Sequence, residues 1–397
     1  MKVLVISTLY PNRSQPVHAL FVEQRVRAMA KRFPVRVLCP VPWFPIAQRL
    51  ARYRHRRRIP KQETRHGVDV RYPRFLSIPR FLKPLDGVFL FLSVWWTARS
   101  LRRDFDFDRI DAHLAFPDGW GAVLLGRLFR VPVAVTLRGH DVNDLPAYPV
   151  RGRQVTWTLR EAGAVFPVAE ALRDAALELG APAERMTLVA NGVDPARFSP
   201  YDPGEARAEL GIAPEDRVIL SVGHLVERKG FHHIVRALPT VVAQHSRARL
   251  VIVGAPGEEG DFSGPLQAAV REVGMEDRVR FVGAVNHDQL GKWYTAADVF
   301  CLASAKEGRA NVLLESIACG TPVVATGVWG TPEIVSEDHL GILVEATTPD
   351  VLGGALAQAL GRSWDRDRIA AHASRFSWDE AAATVERVLL SMGRNGR

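Results

Sequence analysis

Cysteine is scarce in this chain: Cys39, Cys301 and Cys319 are the only three in 397 residues. An odd number without paired ligand spacing excludes a disulfide framework and a cysteine-rich zinc module. Each stands beside an apolar run, which predicts reduced thiols in a core and a cytoplasmic setting. Long hydrophobic runs are also missing. The longest, LDGVFLFLSVWWT from Leu85 to Thr97, carries Asp86 and falls short of the ~20 residues that cross a bilayer. MKVLVIST leads straight into a β-forming run, without a charged n-region, a long h-region or a small-residue cleavage site, so no export signal is expected. No G-x-G-x-x-G follows that run, which leaves out the dinucleotide fingerprint. Acidic residues are in short supply in the first half alone: 17 stand against 32 Lys/Arg in residues 1–200, but 26 against 20 in residues 201–397.

Charge asymmetry of this kind points to a basic face on the first half, with an anionic membrane or a nucleic acid as its partner. Arg49–Arg58, RLARYRHRRR, concentrates six of the arginines. Phe81, Leu82, Phe89, Phe91, Trp95 and Trp96 follow it, a pairing of basic and aromatic residues found in interfacial helices. A core helix accounts equally well for Phe89–Trp96. No nucleic-acid module is recognisable and the aromatics are not interleaved with the arginines, so a nucleic-acid partner is not expected.

The length predicts two domains, with the hinge at about Ser199 to Gly204, where Asn191-Gly192 supplies a turn just before it. The expected division is 1–200, 201–375 and a closing segment 376–397. Apolar runs alternate with helical periodicity throughout: Lys2–Thr8, Val35–Val41, Ile110–Leu114, Val133–Leu137 and Ala164–Ala169, then Val218–Val222, Leu250–Val253, Val279–Val282, Val299–Leu302, Pro322–Ala325 and Gly341–Val344. After Val41 the prolines Pro42 and Pro45 predict a loop. This pattern describes an α/β protein with parallel sheets covered on both faces and ligands at the carboxyl ends of the strands.

The most informative stretch is SAKEGRANVLLESIACGTPVVATGVWGTPEIV, Ser304–Val335. A strand end leads into a loop carrying Glu307 and then a helix from about Ala310. On one continuous helix Glu307 and Glu315 would be about 12 Å apart along the axis, too far for one small ligand. With Glu307 in the loop, both can face a ligand at the helix mouth. There the N–H groups of Ala310, Asn311 and Val312 favour a phosphate. At the end of the Val218–Val222 strand, Gly223 allows a diphosphate to approach the backbone, and Arg228 and Lys229 supply positive charge. Asp104, Asp106 and Asp108 contain a D-x-D but read as an acidic loop before a strand, and no metal is expected.

Glu307 and Glu315, followed by Gly320–Thr326 and Gly330–Glu333, resemble the donor-site signature of retaining glycosyltransferases of the family 4 type. The resemblance extends to Gly223–Gly230, to Trp293–Asp298 (WYTAAD) and to Asn191–Phe198 (NGVDPARF). It implies the GT-B fold: two Rossmann-like doubly wound domains facing across a cleft, 1–200 binding the acceptor and 201–375 the nucleotide-sugar donor, with a C-terminal helix in 376–397 crossing back. It implies transfer of a sugar from a UDP- or GDP-sugar to a glycan or lipid-linked acceptor, without a cofactor, in cell-surface polysaccharide synthesis. Donor contacts would come from Gly223, Arg228, Lys229, Gly254, Val285, Ala310, Asn311, Val312 and Glu315, and Glu307 would position the sugar. Where the family carries a histidine, alignment on Thr136, Gly139 and Asp141 places Arg138, so His140 and His113 are alternatives for that role. The family's Gly-Gly pair is absent from Leu9–His18. An epimerase or hydrolase on the same fold is the second expectation.

Overall fold

Val3–Ile6 (β1) is an unbroken aliphatic run, VLVI, and all four residues are buried. A strand with no polar member must be covered on both faces. Leu4 and Ile6 join one apolar cluster with Leu90, Val94 and Leu125, while Val3 and Val5 join another with Val22, Val26 and Leu389. The structure, a computed structural model, describes residues 1–45, 56–79, 81–257 and 259–393.

The chain divides into two compact units, Met1–Gly192 with Trp378–Arg397, and Val193–Ser377. The division comes earlier than the expected hinge. The Val193 N–H donates to the Phe376 carbonyl, and Phe198 is packed in the second unit's core, so that unit begins directly after the Asn191-Gly192 turn.

In the first unit the remaining strands are Val35–Leu38 (β2), Val41–Trp43 (β3), Gln62–Arg65 (β4), Val68–Arg71 (β5), Arg74–Leu76 (β6), Arg109–His113 (β7), Val133–Leu137 (β8) and Ala164–Pro167 (β9). Seven of them form one sheet in the order β4-β5-β2-β1-β7-β8-β9, parallel except for the β4–β5 edge pair. The loop expected after Val41 is instead a short strand: β3 pairs with β6, using the Val41 N–H and the Trp43 carbonyl. Pro42 falls between those two bonds, so its missing N–H costs this two-stranded pair nothing.

The second unit holds Arg217–Val222 (β10), Ala248–Val253 (β11), Val279–Gly283 (β12), Val299–Leu302 (β13), Val323–Thr326 (β14) and Gly341–Val344 (β15). They form a wholly parallel sheet, β12-β11-β10-β13-β14-β15. This is a doubly wound order, and it reverses between β10 and β13.

The segment Asp86–Leu101 is one helix, with Leu90, Val94, Ala98 and Leu101 buried in the core. Residues 49–55 of the basic run lie outside the described residues, and Arg57 and Arg58 at its end are exposed. Asp106 pairs with Arg102, and Asp108 accepts from the Lys2 N–H. The three cysteines are free and buried. Among the described residues no helix is long and apolar enough to cross a membrane.

Candidate active site

In a doubly wound sheet the loops that follow the two strands on either side of the reversal run to opposite faces of the sheet, leaving a crevice outside the carboxyl ends of those strands. In the second unit those strands are β10 and β13. β10 runs into Gly223 and a single turn, Glu227–Lys229, closed by Gly230 at φ +69°. A Cβ on Gly230 would lie 1.9 Å from the Ala303 carbonyl oxygen, so only glycine lets this turn rest on the end of β13. The Ala305 N–H then donates to the Arg228 carbonyl at 2.8 Å. Gly254, after β11, is equally close-set, since a Cβ there would lie 1.8 Å from the Gly223 carbonyl oxygen. The carboxyl ends of three strands are thereby packed backbone against backbone.

This packing brings Lys229 to Glu307. Nζ stands 2.6 Å from Oε1, and the two side chains are only 12% and 9% exposed. Glu307 lies in the loop between β13 and the helix Asn311–Ala318, not on the helix that carries Glu315. Arg228 points elsewhere: its guanidinium makes a two-pronged pair with Glu259 at 2.6 and 2.7 Å and is more exposed. That hydrogen bonding keeps the Glu259 carboxyl below its ordinary range. Burial and the nearby Lys229 charge lower the affinity of His224 for a proton, which favours a neutral ring.

The helix Asn311–Ala318 starts at Ala310, whose side chain makes no capping hydrogen bond. Leu313, Leu314 and Ile317 fix it in the core. Glu315 is buried and accepts from the Tyr294 hydroxyl at 3.0 Å, with His287 Nε2 at 3.3 Å from its other oxygen. Burial first, and then the Glu315 charge, hold the tyrosine hydroxyl in its protonated, donating form. Phe198 stacks edge-on against both His287 and Tyr294, which gives the Asn191–Phe198 turn a task beyond turning: its aromatic end supports the partners of Glu315. The sequence showed Tyr294 as part of WYTAAD but not its place against Glu315. Arg309 also escaped sequence reasoning. Its side chain is 3% exposed, with the guanidinium over the Phe376 ring and 3.5 Å from Glu333. Val285 is half-buried at the edge of the same core.

The first unit gathers a second cluster at the ends of β7 and β8. Asp141 fixes the turn after β8, its carboxylate accepting the N–H groups of Arg138, Gly139 and Ala115 at 3.1, 2.9 and 2.8 Å. Arg138 lies 4.9 Å over the Phe21 ring and donates to Asn191 Oδ1 at 2.8 Å and to His113 Nδ1 at 2.7 Å. An arginine can only donate, so Nδ1 accepts and the imidazole proton sits on Nε2, 3.4 Å from Asp111 Oδ2. Complete burial lowers the His113 ring to about 4, so it is neutral at physiological pH. Burial works against the Asp111 charge, but Arg25 at 3.7 Å and His113 hold that carboxyl below its usual range. Burial and the neighbouring Arg25 bring Arg138 down to about 9, which leaves it charged at pH 7. His140 stands apart, exposed and 2.9 Å from Asp144. Arg138 and His113 are thus brought together, and His140 is not. Asp118, which sequence reasoning passed over, is fully buried beneath Thr8, whose N–H and hydroxyl it accepts, and burial raises its carboxyl to about 8.

Two family models divide nearly the whole chain: residues 18–192 match the glycosyl transferase 4-like domain, and residues 202–376 match glycosyl transferases group 1. The chain belongs to the glycosyltransferases of the family 4 type. This glycosyltransferase is 26% identical over 364 residues to a Bacillus subtilis protein named as a teichuronic acid biosynthesis glycosyltransferase, covering 90% of this chain and 89% of that one. It is 33% identical over 282 residues to a D-inositol 3-phosphate glycosyltransferase of Thermobispora bispora, a match spanning 68% of this chain and 65% of the relative's length. Its fold is GT-B. The crystal structure of Anabaena HepE in complex with UDP and glucose superimposes with a TM-score of 0.72 at 21% identity, over 98% of this chain and 100% of that one.

Proposed function

We propose that this glycosyltransferase moves a hexose from a UDP- or GDP-sugar to a glycan or lipid-linked acceptor, with retention of configuration and without a bound metal, in the synthesis of a cell-surface polysaccharide. The observation that carries the reading is the Lys229–Glu307 pair at the crevice of the second sheet. A diphosphate entering there competes for Lys229 and releases Glu307 to accept hydrogen bonds from the sugar's hydroxyls. The helix start at Ala310, Asn311 and Val312 adds donors and a positive dipole end to the same anion. Together with Lys229, and with Arg228 if it leaves Glu259, these groups stabilise charge growing on the leaving diphosphate. Each oxygen of Glu315 keeps a lone pair beyond those used by Tyr294 and His287, so the carboxylate can also accept from ribose hydroxyls. The base would lie along Gly254 and Val285.

From the first unit, Arg138 is the group assigned to the transferred sugar or its phosphate. His113 serves as its hydrogen-bond acceptor, and His140 remains the alternative group for the transferred sugar. UDP is the first donor base to try because HepE was solved with UDP-glucose. The polysaccharide context rests on the teichuronic acid relative, and an anionic membrane surface is the proposed place of work.

The test is a thermal-shift titration with UDP, GDP, ADP and their hexose conjugates, run beside Glu315→Ala. A nucleotide at 100 times its Kd stabilises by about 2.7 kcal/mol, which raises Tm by several degrees. The expected result is a shift with one base that the variant loses, followed by transfer to an added acceptor with the anomeric configuration kept. A folded protein that no nucleotide shifts overturns the reading, and donor loss to water without transfer favours a hydrolase.

A further inference from the structure

We propose that one outward face of the first unit docks on an anionic lipid bilayer, with Phe81, Leu82, Leu85, Leu92 and Trp96 entering the interface and Arg99 and Arg103 holding the headgroups. This names the surface for the membrane setting proposed above, and it stands on observations independent of the donor site.

The helix Asp86–Leu101 is apolar on two sides. Its inner stripe is Leu90, Val94, Ala98 and Leu101, buried in the core. A Cβ on Gly87 would come within 2.7 Å of Trp120, so this side is seated tightly and the helix cannot roll to hide its other face. On that other face Leu85, Leu92, Trp96, Arg99 and Arg103 succeed one another at helical spacing, all exposed. Phe81 and Leu82, at the turn leading in, are exposed as well, and Phe81 and Trp96 reach 69% and 65%. A helix packed on a soluble core ordinarily turns polar residues to water. A contiguous apolar face marks a partner, and one that ends in arginines marks an interfacial helix.

Arginines border the stripe on one flank. The Arg74 carbonyl accepts from Ser93 in the middle of the helix at 2.9 Å, and the Arg74 side chain contacts the Arg56 carbonyl at 3.5 Å. The Arg56 carbonyl, next to the exposed Arg57 and Arg58, is thereby linked through Arg74 to the same helix. On the other flank Gln154 donates to the Pro84 carbonyl at 2.8 Å, which brings up the helix Pro149–Glu161, whose start presents the exposed Tyr148 and Val150. Lys83 does not belong to the charged rim, because its ammonium turns inward to Asp86 at 3.1 Å. Aromatics and leucines bordered by arginines match the layering of a bilayer interface with anionic headgroups: apolar groups at acyl depth, cations at the phosphates.

The test is cosedimentation of the full chain with vesicles of phosphatidylglycerol in phosphatidylcholine, and with phosphatidylcholine alone. The wild type should pellet with the anionic vesicles, and less so as salt is raised. Phe81→Ser/Trp96→Ser and, separately, Arg99→Glu/Arg103→Glu should each weaken binding about tenfold or more. All these side chains are exposed, so the variants should keep the wild-type Tm and its nucleotide response. Retention of that response shows that the donor site is intact whatever the vesicles report. Unchanged binding in both variants, or no pelleting by the wild type, overturns the proposal. So does a wild-type dimer in velocity sedimentation that Phe81→Ser/Trp96→Ser converts to monomer, since a second copy would then cover the face.

Discussion

Lys229 and Glu307 neutralise each other across 2.6 Å, and the different tasks proposed for them become separable once one of them is removed. Lys229→Ala leaves a nearly buried carboxylate without its cation, so it should lower stability by about 3 kcal/mol and weaken nucleotide binding, with kcat down about 100-fold. Glu307→Gln keeps the shape and leaves Lys229 for the diphosphate. Its affinity for the free nucleotide should stay within a few-fold of the wild type while transfer falls, which calorimetric titration and a turnover assay will distinguish. His113 gives a second prediction at this scale. Its folded-state affinity for a proton is depressed, to about 4, against an ordinary value near 6.5. The unfolded chain therefore takes up a proton first as pH falls, and the contribution of His113 to stability, complete above about 6.5, is lost on the way down to 4. The loss amounts to about 3 kcal/mol. His113→Asn, which keeps an acceptor for Arg138, should flatten this part of the stability–pH curve measured by urea unfolding. An unchanged slope would place the proton elsewhere.

Among the elements, what sequence could show depended on whether an element carries its own pattern. The six strands of the second sheet are apolar runs, and all six lie within a residue or two of where periodicity places them. β4, Gln62–Arg65, is polar and half-exposed at a sheet edge, and β3 carries a proline, so neither announces itself. The site divided in the same way. Glu307, Glu315, Lys229 and the helix start are visible as local spacing. The contacts of Tyr294 with Glu315 and of Thr8 with Asp118 join residues 21 and 110 positions apart, which no local pattern encodes. Arg309, a charge enclosed within the second unit, runs against the rule that puts such residues outside, and its burial comes only with the fold. Glycine is where local pattern and tertiary packing meet. Gly230 reads as a turn residue, but what makes it irreplaceable is the Ala303 carbonyl 1.9 Å from where a Cβ would sit. Gly230→Ala should cost about 2 to 4 kcal/mol through both the left-handed backbone and the clash. It should also weaken nucleotide binding by moving Lys229 off Glu307. A variant with wild-type Tm and nucleotide affinity would show that the turn can lift away from β13 at little cost.

At the scale of the whole molecule the chain is not two domains laid end to end. The first unit receives the last segment of the chain as well as its beginning, so the second unit is inserted between the two parts. The returning helix, Trp378–Ser391, packs Trp378, Ala382, Val385 and Leu389 into the same apolar cluster as Val3, Val22 and Val26. It is fastened at its rim by Lys31 to Asp379 and by Arg32 to Glu386. Arg109, at the start of β7, donates to the carbonyls of Leu389 and Met392, so a buried guanidinium is satisfied only when this helix is in place. The exposed Lys31 pair adds little. Burial of four apolar side chains and the satisfaction of Arg109 together contribute on the order of 5 to 10 kcal/mol, comparable to the whole stability of a domain. Ending the chain after Ser377 should therefore unfold the first unit at ordinary temperature and leave the second unit, whose two ends meet through Val193 and Phe376, able to fold and bind the donor nucleotide. Calorimetry of the truncated chain should show one transition in place of those of the full protein, and the donor nucleotide should raise it. Loss of nucleotide binding along with the helix would mean that the second unit needs the first in order to fold, and two intact transitions would mean that the returning helix contributes far less than its burial implies.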